Sequence, residues 1–309
     1  MRRVMIGAGA GALILLAGCV PGRAPNVVAP QQARIPANPK PEQLVAYLNL
    51  NAQRIQSIES RDVEIDAKQG GQAITLVGCN IICRKPRDFR MTAKVVGTPG
   101  VDMGSNQNEF WWWVSKSPEP YLFHCSYDAL AQGGAVFPIQ PDSIIEAMGL
   151  KEFDPKGQYE VRDDGRTIRL IQRTVSPQRQ QVTKVTYINR NASGGQPQVY
   201  GQQLLDDKGK EICSAWIHEV QAVDAPGAAG AVVPRVVQLR WPVQQLDLKM
   251  KFKEVIVNGN IPDDRARALF TRPNLRGVRS FDVAARRFDD QLGELRPAGG
   301  PIPGGQPIR

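Results

Sequence analysis

Three consecutive tryptophans, Trp111-Trp112-Trp113, flanked by Phe110 and Val114, constrain the fold more than any other feature of the chain. Successive side chains of a strand point to opposite faces, so such a run puts large apolar surface on both sides of a sheet. One side can be an ordinary core. The other then needs a lid, a partner or an apolar ligand. The residues before it read as strand 76–84, a break at Lys85-Pro86, strand 89–96 and a polar turn over 102–108. Pro86 has no N–H for a ladder, so it belongs in a turn or at an edge. Phe110 with Trp112, or Trp111 with Trp113, are candidate cavity-lining pairs, and alternation forbids both pairs from facing one cavity.

Most of the remaining chain has a strand pattern. Pro41 opens a helix, where its missing N–H costs nothing, and apolar residues at helical spacing carry it to about residue 57. Val63, Ile65 and Ala67 alternate with Glu64, Asp66 and Lys68, and Gly70-Gly71 reads as a turn. A further strand over 121–125 precedes short helices at 127–131 and 141–149, the second capped by Asp142 or Ser143 and ended by Gly149. From Gln158 the chain reads as a meander, with Asp164-Gly165 and Lys208-Gly209 as turns. In its last strand, 246–257, Leu246, Leu248, Met250 and Phe252 face one way and Asp247, Lys249, Lys251 and Lys253 the other, giving one greasy and one wet face. Leu248, Met250 and Phe252 therefore join the cavity candidates. The expected fold class is α+β, mostly β: about ten strands in a strongly curved antiparallel sheet, an incomplete barrel covered by helices, with 127–149 plugging its mouth.

The N-terminus carries a different signal. Met1-Arg2-Arg3 precedes an apolar stretch, Val4 to Ala17, shorter than the roughly 20 residues of a membrane span. It ends in Leu16-Ala17-Gly18-Cys19, which resembles the bacterial lipobox, with Cys19 as the acylated residue and a signal peptide over 1–18. Val20 in place of Asp resembles an outer-membrane address, so the expected location is the cell envelope, lipid-anchored and facing the periplasm. Residues 19–40, rich in Pro, Ala, Gln and Asn, read as a disordered tether. The globular domain spans 41–273, and 274–309 reads as a basic helix followed by a Gly/Pro-rich disordered tail. The formal charge of +9 suits an anionic membrane surface or an acidic partner. No zinc finger, P-loop or RNP-like box accompanies it, which argues against nucleic acid.

Arg84-Lys85-Pro86-Arg87-Asp88-Phe89-Arg90-Met91, then a polar turn, then Glu109-Phe110-Trp111-Trp112-Trp113 resembles the lipoprotein carrier LolA and its lipid-anchored relative LolB. Leu269-Phe270-Thr271-Arg272-Pro273 is similar to the end of that domain. The resemblance implies an incomplete barrel with a hydrophobic cavity for acyl chains. The carriers place a functional Arg directly before the Pro; here Lys85 stands there, keeping the charge without the fork geometry. That departure and Cys19 favour the acceptor-like or a lineage-specific lipoprotein. Envelope-stress sensors use the same scaffold for protein partners.

Arg84, Lys85 and Arg87, with Arg90 nearby, are candidates for a lipid headgroup or an acidic partner, or else a solvated turn. Export makes a disulfide among Cys79, Cys83, Cys125 and Cys213 expected. In one regular strand Cys79 and Cys83 would be about 13 Å apart, too far to bridge unless Gly78 forms a bulge. Zinc could use Cys79-x₃-Cys83, His124-Cys125 or Cys213-x₄-His218, but His124 and Cys125 point to opposite faces, and neither a metal nor a cofactor is expected. With two His, no Gly-x-Ser-x-Gly elbow and no paired carboxylates, catalysis is not expected. The function expected is non-catalytic binding of acyl chains or lipoproteins. The alternative is a structural or protein-interaction lipoprotein, or a stress sensor, with a filled core.

Overall fold

The computed structural model describes Ile35 and residues 37–95, 98–132, 141–176, 179–192, 197–225 and 227–291. The expected signal peptide, Cys19, nearly all of the tether and the tail beyond 291 lie outside the described residues. Helix α1 (Pro41–Arg54) begins with Pro at its first position, and the Lys40 N–H donates to Gln43 Oε1 at 3.0 Å. Its buried face is Leu44, Val45, Leu48, Asn49 and Ala52. Two asparagines fasten it: Asn49 exchanges hydrogen bonds with the backbone of Phe153 (both 2.8 Å), and Asn51 with that of Val232 (2.9 and 2.8 Å).

Strands β1 (Ser57–Gln69) and β2 (Gln72–Arg84) form a hairpin on Gly70-Gly71, both at positive φ, which glycine adopts without cost from a Cβ. The meander continues through β3 (Asp88–Val95), β4 (Thr98–Ser105), β5 (Glu109–Val114) and β6 (Leu122–Ser126). Short helices α2 (Tyr127–Ala131) and α3 (Pro141–Ala147) follow. Ser126 caps α2, its Oγ accepting from the Ala129 N–H at 3.1 Å. A second meander is β7 (Tyr159–Asp163), β8 (Thr167–Val175), β9 (Gln181–Asn189), β10 (Val199–Leu205), β11 (Glu211–Val223), β12 (Ala231–Trp241) and β13 (Leu246–Phe252). The chain ends in β14 (Ile256–Val257), α4 (Asp263–Leu269), β15 (Ser280–Asp282), β16 (Arg287–Phe288) and a 3₁₀ turn, Asp289–Gln291.

Strand β13 pairs with β1 and welds the two meanders into one sheet, ordered β16-β15-β6-β5-β4-β3-β2-β1-β13-β12-β11-β10-β9-β8-β7. The path ends at β16 and β7, so the curved sheet is an unclosed barrel. Its inner face carries α1 and α3. There Ile81, Met91, Met103 and Trp112 lie in register across four strands, and Ile144, Ile145 and Met148 pack into the same central core as Met250 and Phe252. No helix among the described residues is long and apolar enough to cross a membrane.

Four expectations are corrected. The sheet has sixteen strands rather than about ten, and one pair, β15 with β6, is parallel. Residues 102–105 are not a turn but the end of β4. Asp102 and Gly104 look like turn residues, yet both serve the facing strand. Trp111 donates its indole N–H to Asp102 Oδ1 at 3.2 Å, and its ring lies so close to Gly104 that a Cβ there would sit 2.3 Å from Cζ2. The basic segment after Arg276 is not a helix: Phe281 and Phe288 drive it onto the sheet as β15 and β16, so the domain runs past 273 to at least 291. Asp142 lies inside the first turn of α3 and pairs with Arg87 at 3.3 Å instead of capping the helix.

Candidate functional site

The aromatic strand β5 divides as alternation requires. Phe110 and Trp112 lie on the inner face in a cluster with Phe123, Tyr127, Phe281 and Phe288. The Trp112 and Phe123 rings stack at 4.9 Å, Phe123 meets Phe281 at 5.9 Å, and Phe281 meets Phe288 edge-on at 5.1 Å. Trp111 and Trp113 lie on the outer face, packed with Leu122, Leu275 and Val278. The returning chain covers them. Arg90 stands 5.5 Å from the Trp111 ring, pairs with Asp102 at 2.5 Å, and donates to the carbonyls of Leu269 (2.9 Å) and Thr271 (3.1 Å). Asn106 holds the Phe270 carbonyl at 2.9 Å, and His124 and Arg272 both reach Asp289, at 2.9 and 3.0 Å. The expectation that β5 lines a hollow is therefore corrected. Phe110 and Trp111 are fully buried and Trp113 nearly so, because residues 261–291 return to cover both faces. Met250 and Phe252 are buried in the central core and Leu248 packs against it.

The basic turn is internally committed. Arg84 forks onto Asp88 (2.8 and 2.6 Å) and stacks on Phe270 at 5.3 Å. Lys85 donates to the Ala52 carbonyl at 2.8 Å and to Glu152 at 2.9 Å, holding the Glu152 carboxyl below its usual range. Arg87 lies 4.1 Å over the Tyr127 ring. These side chains tie the β2–β3 turn to α1, α2, α3 and Phe270 at the end of α4. A shallow groove of about 320 Å³ beside them is lined by Arg84, Asn106, Arg267 and Phe270.

The expected disulfide is also corrected: Cys79, Cys83, Cys125 and Cys213 are free thiols. The bulge at Gly78 exists, with φ +62°, but it precedes Cys79 and leaves the reach from Cys79 to Cys83 unchanged. Cys125 sits apart, in the aromatic cluster. Burial pushes Cys83 up to about 12 and the other three to about 11. The nearby Ser143 hydroxyl of α3 acts on Cys213 in the opposite direction, lowering it against burial.

A cavity of about 120 Å³ lies elsewhere, between α3, residues 151–154 and the inner face of β7–β10. At its wall Glu146 of α3 binds Lys184 at 3.0 Å and Lys151 at 3.2 Å. Burial pushes the Glu146 carboxyl up, but the two ammonium groups outweigh it and hold it below its usual range. Lys151 is raised by the same Glu146 charge. Gln172, Thr186 and Gln202 line the same space with Tyr159 and Leu170. None of these was among the sequence candidates. The available signal was the row Val182, Lys184, Thr186, Ile188, where two polar residues interrupt one face of a strand.

No family model matches the sequence, and no curated protein matches it. Solved structures do. A DUF1329 family protein from Desulfovibrio piger ATCC 29098 is 12% identical over 74% of this chain and 97% of that one, with TM-score 0.51. A putative outer membrane lipoprotein-sorting protein domain from Vibrio parahaemolyticus is 8% identical over 73% and 95%, with TM-score 0.50. The fold is LolA/LolB-like. A LolA superfamily protein from Nitrosomonas europaea is more distant, at 8% identity over 71% and 96% and TM-score 0.45. Within this LolA/LolB-like sheet, the cavity lies between α3 and the second meander, not at the aromatic strand.

Proposed function

We propose that the chain is a lipid-anchored envelope protein, held by an acylated Cys19 on the outer membrane, that binds acyl chains or acylated proteins between α3 and the inner face without catalysing a reaction. The observation that carries this is the way the middle of the inner face is closed. Met91, Met103, Leu248 and Met250 form an adaptable apolar wall, and what covers it is α3, a helix of seven residues contributing Ile144 and Ile145 and followed by Met148. The leader ending at Cys19 and the lipoprotein-sorting description of the Vibrio neighbour support the same reading. At about 120 Å³ the present cavity is below the roughly 300–1,000 Å³ of a small-molecule pocket, so an acyl chain enters by displacing α3. Purified Cys19→Ser protein is expected to bind a fluorescent fatty acid saturably, with competition by unlabelled fatty acid. No saturable binding at any protein concentration would overturn the proposal. A second reading, a protein-interaction lipoprotein with a filled core, is favoured by the close packing of both faces of β5. It predicts no fatty-acid binding.

A further inference from the structure

The cavity beside α3 holds polar side chains that nothing in the protein answers. Thr186 is 6% exposed, lines the cavity, and its hydroxyl has no partner among the described residues. Gln172 and Gln202, half-buried on neighbouring strands, line the same space and are likewise unanswered among the described residues. Three such groups converging on one space mark a place prepared for a ligand that both donates and accepts hydrogen bonds.

The charges decide against an anion. Lys184 and Lys151 already share Glu146, Glu152 is answered by Lys85 at 2.9 Å, and Asp154 accepts the N–H of Lys156 at 2.9 Å. Three carboxylates, Glu146, Glu152 and Asp154, line the space against two ammonium groups, Lys151 and Lys184, so a phosphate would meet no net positive charge there. The size sets a second limit. A water needs about 10–15 Å³ of such space, so 120 Å³ holds about 8–12 water-sized groups, roughly the heavy atoms of one monosaccharide. Tyr159 and Leu170 supply an apolar wall for the C–H face of such a ring.

We infer that this cavity binds a small neutral polyol, a sugar ring or glycerol, with Thr186, Gln172 and Gln202 as its hydrogen-bonding groups. The ligand can be a free sugar or the head of a glycolipid, and the site stands whether or not α3 admits an acyl chain. The test uses acyl-free Cys19→Ser protein and saturation-transfer NMR with methyl glucoside and glycerol, octyl glucoside below its micelle concentration, and inorganic phosphate. Binding of methyl glucoside or glycerol, weakened about tenfold by Thr186→Val and again by Gln202→Leu, supports a free-sugar site. Binding of octyl glucoside alone, with the same losses in the variants, supports a glycolipid head. Octyl glucoside binding that ignores both variants, binding of phosphate alone, or no binding of any polyol overturns the inference. Thr186→Val is also expected to leave the melting temperature unchanged or raised, since it removes an unanswered hydroxyl. A clear drop would mean that the hydroxyl serves the fold, and would also overturn it.

Discussion

The outer face uses one device twice. In β5, Trp111 lies opposite Gly104 of β4; in β11, Trp216 lies opposite Gly201 of β10. In both, the indole occupies the space a Cβ would need, 2.3 Å away at Gly104 and 2.4 Å at Gly201. Their fates differ. Trp111 is fully buried under the returning C-terminal segment and held by Asp102 and Arg90. Trp216 stays half-buried, with Tyr187 and Tyr200 rings at 5.5 and 6.2 Å. The local chemistry is the same, so burial is decided by whether later chain comes back. A tryptophan beside a strand glycine identifies a cross-strand pair; it does not reveal whether that pair faces solvent, chain or ligand.

This comparison can be broken by mutation. The largest contrast is Trp111→Ala, expected to cost about 3–5 kcal/mol, against about 1 kcal/mol for Trp216→Ala, both read from denaturant midpoints. Equal costs would mean that the returning segment adds nothing. Arg90→Met leaves Asp102 buried without its cation and frees the carbonyls of Leu269 and Thr271, an expected loss of about 3 kcal/mol. Limited proteolysis should then cut first within 261–291. Gly104→Ala forces its Cβ against Trp111 and the Phe89 carbonyl, at about 1–3 kcal/mol. Gly201→Ala should stay under about 1 kcal/mol, because the Trp216 ring can move into solvent. The smallest effect is at α3. Glu146 titrates below its usual range in the fold, so its stabilisation is full above the unfolded value of about 4.3 and is lost as pH falls through the folded value. Glu146→Gln should therefore lower stability at pH 7 by less than about 1 kcal/mol, and the difference should vanish in strong acid.

Much of the sheet was legible because its signals are local. The Gly70-Gly71 turn, the bulge at Gly78 and the alternation of Leu246 to Phe252 each depend on residues within a few positions. What escaped depends on distant partners. Asp102 and Gly104 become strand residues only because Trp111 needs an acceptor and a flat floor. Phe281 and Phe288 become strands only by meeting Phe123 and Tyr121. The aromatic run announced apolar surface on both faces, and that surface exists. The inference from it to a hollow failed because the chain returns to cover it. The cavity formed instead where Lys184 and Thr186 interrupt an apolar row, a weak signal without α3 beside it.

The proposed function rests on α3 leaving the inner face, and Cys213 offers a way to forbid that. Its thiol packs against the same core as Ile144 and Ile145, close enough to Ser143 of α3 to feel its hydroxyl, so Ser143→Cys in the acyl-free protein places a second thiol where an oxidised bridge can lock the helix to β11. Fluorescent fatty acid should bind the reduced variant, be excluded from the oxidised one, and bind again after reduction. Equal binding in both states would contradict an acyl site beneath α3.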